Sequence, residues 1–107
     1  MRDGSNLQSQ LPASWCWTDT ATLFSFVTSG SRGWATYYSN EGSLFLRIGN
    51  LDHASVSLDL TNLQRVDPPK GAEANRTIVK AGDILISVTA DVGMIAVVPQ
   101  SIEKAFM

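Results

Sequence analysis

The sequence predicts an α+β domain, built mainly from antiparallel β hairpins with short helices packed on them. Three observations carry this. Residues 44–48 (LFLRI) and 56–60 (VSLDL) are strand-like segments joined by a short break, a hairpin pattern. Residues 84–88 (ILISV) and 94–98 (MIAVV) form a second such pair around a turn at 89–93. The stretches with helix-start signals, near Asp19 and Asp67, are too short for long helices.

Residues 1–10 (MRDGSNLQSQ) are polar and read as a disordered lead-in. In LPASWCW, Pro12 favours an extended start, and Trp15 and Trp17 at period two share one side of an anchoring edge strand. Thr18, Asp19 or Thr20 can cap a short amphipathic helix carrying Leu23, Phe24 and Val27, which leads into a strand at 26–28. Residues 29–42 are a loop by composition, rich in Gly and Ser. Leu44, Leu46 and Ile48 then share one strand face, with Phe45, Arg47 and Gly49 on the other; Val56, Leu58 and Leu60 alternate with Ser55, Ser57 and Asp59. His53 falls in the connection, as a solvated turn residue. Asp67-Pro68-Pro69 reads as a helix start, with a short helix over 70–76. Ala81-Gly82-Asp83 is a turn, after which Ile84, Ile86 and Val88 share a face. Ile102, Ala105, Phe106 and Met107 are apolar where a domain terminus is usually polar, so residues 11–107 are expected to be an incomplete domain.

With 107 residues there is room for one domain. A formal charge of −2 argues against a surface that grips phosphates throughout, because non-specific affinity for nucleic acid comes from clustered Lys and Arg. It leaves open a domain that reads bases while a partner holds the phosphates. A single cysteine, Cys16, and a single histidine cannot form an internal disulfide or a zinc site, and no cofactor is expected. No secretory signal or bilayer-length apolar run is present, which points to a cytoplasmic protein without membrane partners and leaves the Asn75-Arg76-Thr77 sequon idle. Scattered carboxylates and a histidine without a nucleophile context give no catalytic constellation, so the chain is not expected to be an enzyme. The Asp-Pro-Pro-Lys run at 67–70 lacks the aromatic that an adenine methyltransferase would place at Lys70.

The loop and the strand after it hold the candidate site. Ser31, Arg32, Trp34, Tyr37 and Tyr38 cluster there, with Arg47 and Asn50 at the strand end. Arginine can hydrogen-bond a guanine edge through two donors, and glycines let main-chain amides approach phosphates. Arg32 would read a base or neutralise a phosphate, and the aromatics would stack or shape the loop. Arg47 has a structural alternative, pairing with a carboxylate across the sheet.

These landmarks resemble, in order, the first part of a target recognition domain from the specificity subunit of type I restriction-modification systems. LPASWCW (11–17) resembles that family's Leu-Pro-x-x-Trp-x-Trp opening, and LFLRIGNL (44–51) its Leu-Arg-x-x-Asn strand. The loop SGSRGWATYYSNEG (29–42) resembles one seen in a subgroup, and AGDILISVTADVGMIAVVP (81–99) the family's Gly-Asp-Ile-Leu hairpin with Val-Gly-x-x-Ala. The usual Leu-Gly-Asp after the tryptophans is replaced by TDTATLF, and no spacer helix or second domain is present. The resemblance implies a non-catalytic component that recognises double-stranded DNA. It also implies a modification (methyltransferase) subunit and a restriction subunit as partners, which methylate and cleave. The competing expectation is a small β-rich protein-interaction module that binds through its apolar end and unpaired strand edges.

Overall fold

The computed structural model describes residues 10–107; the lead-in expected over 1–10 lies, apart from the exposed Gln10, outside them. The fold is α+β. Its strands are β1 (Tyr38–Ser39), β2 (Ser43–Phe45), β3 (Gln64–Val66), β4 (Ile78–Val79), β5 (Ile84–Ile86), β6 (Ile95–Val97) and β7 (Ala105–Phe106). Its helices are α1 (Thr20–Leu23) and α2 (Ala72–Thr77), with 3₁₀ turns at Trp34–Tyr37 and Ile48–Asn50. Five strands form one sheet in the order β1-β3-β2-β7-β4, and β5 pairs with β6 in a separate hairpin. All pairings are antiparallel except β2 with β7, where Leu44 lies beside Ala105 and Phe45 beside Phe106.

The period of two along these short strands divides the core between the sheet's faces. Leu44, Val79 and Ala105 point to one face, where they meet Leu46, Leu85 and Val98. Phe45, Ile78 and Phe106 point to the other, where Trp34, Val66 and Ala74 cover them. The hairpin and residues 51–58 close the first face, and the 3₁₀ turn with α2 closes the second. Each large apolar side chain buried here contributes about 1.5–3 kcal/mol. Of the apolar residues near the end, Ala105 and Phe106 form an interior strand of the sheet, between β2 and β4, and Ile102 and Met107 pack against the first core.

The hairpin predicted at 84–98 forms, with Ile84 beside Val97 and Ile86 beside Ile95. Asp19 is the cap of α1, accepting from Thr22 N–H at 2.9 Å, but α1 buries none of its side chains. Other expectations are corrected. Residues 15–17 are not a strand: Trp15 N–H bonds the Pro12 carbonyl at 3.0 Å in a turn, and both tryptophans are exposed. Residues 26–28 likewise have no strand partner among the described residues. The first predicted hairpin does not form, because the 3₁₀ turn at Ile48–Asn50 ends β2 and sends residues 51–60 across the sheet face instead of back along its edge. Leu51 and Leu58 pack on the core there, while Ile48, Val56 and Leu60 stay exposed. The strand beside β2 is β3. Asp67 is not a helix cap: its N–H donates to the Tyr37 carbonyl at 2.9 Å, which extends the β1–β3 pairing and delays α2 to Ala72.

The turn between β1 and β2 requires glycine. Gly42 has φ 101°, and a Cβ added there would stand 2.6 Å from the Val66 carbonyl oxygen. Gly42→Ala is therefore expected to destabilise the protein by about 2–3 kcal/mol, from left-handed backbone strain plus a backbone clash that no side-chain movement relieves. A urea unfolding curve shifted by less than half of that would contradict this packing.

Candidate nucleic-acid interface

The loop over 29–42 is tied down at its base by α2 and by Met107, just after β7. The Arg76 guanidinium donates to the Ser29 carbonyl and, at 3.2 Å, to Thr28 Oγ1. Glu73 accepts from Arg32 N–H at 3.5 Å and pairs with Arg76 at 3.5 Å. Ser31 N–H donates to the Met107 carbonyl at 2.8 Å. Gly33, at φ 70°, then turns the chain into the 3₁₀ segment.

That segment drives Trp34 inward. Trp34 is 4% exposed, with ring centroids 5.4 Å from Phe106, 5.9 Å from Phe45 and 6.4 Å from Tyr37. It belongs to the core and shapes the loop; it has no free face for a base. Tyr37 and Tyr38 remain on the surface, 38% and 40% exposed. Arg47 lies with its guanidinium carbon 6.0 Å from the Tyr38 ring centroid, at the outer range of a cation–π contact. Among the described residues no carboxylate pairs with Arg47, so the cross-sheet ion pair does not form. The Arg32 side chain is exposed.

Asn50 is not a surface reader. It is 3% exposed, and its amide bridges three main-chain groups. Oδ1 accepts from Arg47 N–H at 2.9 Å, and Nδ2 donates to the Asp59 and Asn62 carbonyls at 2.9 and 3.2 Å. This holds the turn after β2 to the crossing segment. Ser31 Oγ is buried without a hydrogen-bond partner among the described residues. Of the seven residues singled out from the sequence, Arg32, Tyr37 and Tyr38 are exposed, Arg47 is half-buried and lies beside Tyr38, Ser31 turns its hydroxyl inward, and Trp34 and Asn50 are put to structural use.

Sequence reasoning missed Glu73 and Arg76. They stand three apart on α2, a spacing that puts them on one helix face, and this was the signal that could have found them. It also missed Arg65, which donates to the Gly42 carbonyl at 2.9 Å and to Glu103 Oε1 at 2.6 Å, tying β3 to the approach to β7. The hydrogen bond from Arg65 holds the Glu103 carboxyl below its usual value, and the two bonds from Thr61 do the same for Asp59. Both groups have a depressed folded-state pKa, so they stabilise above the ordinary values of 4.5 and 3.8, and the gain is lost as pH falls through the folded values. Thermal stability is thus expected to fall on acidification through this range. Glu103→Gln should flatten that dependence, and a variant with the wild-type pH profile would contradict the Glu103 assignment.

His53 Nε2 lies 2.7 Å from Asp91 Oδ1, both exposed, linking the crossing segment to the hairpin turn. Among the described residues no group of three His, Cys, Asp or Glu side chains is placed to hold a metal, and no helix is long and apolar enough to cross a membrane.

Comparison with protein-family models, with curated proteins and with solved structures found no match for this chain.

Proposed function

We propose that this chain recognises DNA sequence through the rim formed by Arg32, Tyr37, Tyr38 and Arg47, as part of a cytoplasmic type I restriction-modification specificity subunit. The observation that supports it is the rim itself. Arg32, Tyr37 and Tyr38 stay exposed on a loop that Arg76, Glu73 and Trp34 hold from beneath, and Arg47, past the end of β2, lies beside Tyr38. Guanidinium groups can donate to base edges in the major groove, and tyrosine faces can stack on bases or sugars. The chain contributes no catalysis. The modification subunit uses S-adenosylmethionine to methylate adenine, and the restriction subunit cleaves. With a net charge of −2 on this chain, those partners would supply most phosphate contacts. In the assembled complex, Arg32→Ala is expected to weaken or relax recognition of one half-site by about 1–3 kcal/mol without unfolding the protein. An unchanged methylation pattern in that variant would remove the rim from recognition.

The second reading, a protein-interaction module, is favoured by one feature: the outer face of the β5–β6 hairpin is apolar and exposed, with Ile84 at 54% and Ile86 at 59%.

A further inference from the structure

The outer edge of β5 differs from that of its partner β6. Val98 N–H bonds the Asp83 carbonyl and Ser87 N–H bonds the Met94 carbonyl, each at 2.9 Å, so the main-chain groups of the odd-numbered residues face β6. In an antiparallel ladder the alternate residues face the other way. The N–H and C=O groups of Ile84, Ile86 and Val88 therefore point away from β6, and among the described residues nothing bonds to them. The outer edge of β6, by contrast, is taken: Val97 N–H donates to the Val56 carbonyl at 2.8 Å. Exposed edges are commonly blunted by lysine, proline or a bulge. Ile84–Ile86 and the two residues after it carry neither lysine nor proline.

This edge opens onto a groove of about 340 Å³. Residues 85 to 89 line it consecutively. Successive side chains of a strand point to opposite faces, so Leu85 and Ile86 of β5 can both line one groove only through the strand's edge, and residues 87–89 continue the lining past the strand's end. The opposite wall is Phe45 to Ile48, and Leu51, Leu58 and Met107 add apolar surface. Arg47 is the one charged residue in the lining among the described residues.

We propose that this groove takes an extended segment of a partner protein, added as a third strand to the hairpin along β5. Main-chain bonds to Ile84, Ile86 and Val88 would hold the segment. Its inward side chains would be aliphatic, against Leu51, Leu58 and Met107, and a carboxylate would pair with Arg47. Strand addition of this kind takes affinity from the main chain and specificity from alternate side-chain pockets. A second copy of this chain fits less well. Its β5 has Leu85 buried in its own core, so it has no free inward side chain to offer. The inference concerns a different surface from the base-reading rim, sharing only Arg47, and does not depend on DNA being bound.

The test is a titration of the ¹⁵N-labelled chain, without DNA, with a short synthetic peptide of alternating valine and threonine ending in aspartate. Amide exchange at Ile84, Ile86 and Val88 is expected to slow on binding, with Leu85 and Ser87 unchanged. Ile86→Pro removes one outward N–H at an edge position where proline is tolerated, and should weaken the peptide by up to about tenfold. Arg47→Gln should remove the preference for aspartate over threonine at the peptide's end, which keeps the test valid if the proline variant fails to fold. Failure of the peptide to bind, or binding that leaves the Ile86 amide unprotected, overturns the assignment. So does protection of these amides without peptide that disappears on dilution, which would place a second copy there.

Discussion

Replacing Trp34 by alanine is expected to destabilise the protein by about 3–5 kcal/mol, the range for removing a fully buried aromatic from a core. The ring lies against Phe45 of β2 and Phe106 of β7, neighbours in the sheet, and it joins the loop to both. Its loss leaves a cavity beneath the segment that carries Arg32 and Tyr38. For a chain whose total stability is on the order of 5–15 kcal/mol, this is a large share. Tyr38→Ala removes a ring that is 40% exposed and should cost much less. Denaturant unfolding of the two variants separates the roles. Equal effects, or a Trp34 variant as stable as wild type, would return Trp34 to the surface and undo the division between core and rim.

Asn50→Asp should have an effect of similar size for a different reason. The amide nitrogen now donates to two carbonyls, and a carboxylate in its place would turn lone pairs toward the Asp59 and Asn62 oxygens in a buried site. Breaking buried polar contacts and leaving a charge unpaired costs about 3–5 kcal/mol. Burial and the two carbonyls both disfavour the charged form, so the introduced carboxyl has a raised folded pKa. The penalty is then greatest at neutral pH and shrinks as acid protonates the group and restores one donor. Melting the variant at pH 7 and at mildly acidic pH tests this. A variant of unchanged stability would mean that Asn50 is available for contacts outside the fold.

What the sequence discloses depends on whether an element's signal is local. The β5–β6 hairpin is legible because turn-prone 81–83 and 89–93 bracket two alternating runs that pair with each other. The first hairpin misleads because the alternation at 56–60 belongs to a segment crossing the core: Leu58 rests on it, and Val56 offers its carbonyl to β6. The true neighbours of β2 are Gln64–Val66, with no apolar alternation, and Ala105–Phe106, too short for a period. Composition marks out the loop that carries Arg32, Tyr37 and Tyr38. It could not separate Trp34 from Tyr38, or Asn50 from Arg47, because burial is set by partners distant in sequence: Phe106 for Trp34, and Asp59 and Asn62 for Asn50. Arg76 and Glu73, which fix the loop's base, lie in a segment whose sequence suggests only a helix start.

The proposed DNA recognition is tested most directly by selecting duplexes from a randomised DNA pool with the specificity complex that this chain is proposed to join, carrying either the wild-type chain or its Arg32→Ala variant. The expected result is enrichment of a defined half-site by the wild type and loss or relaxation of that half-site alone in the variant, with thermal stability unchanged. Enrichment of the same half-site to the same degree by both would contradict recognition through this rim.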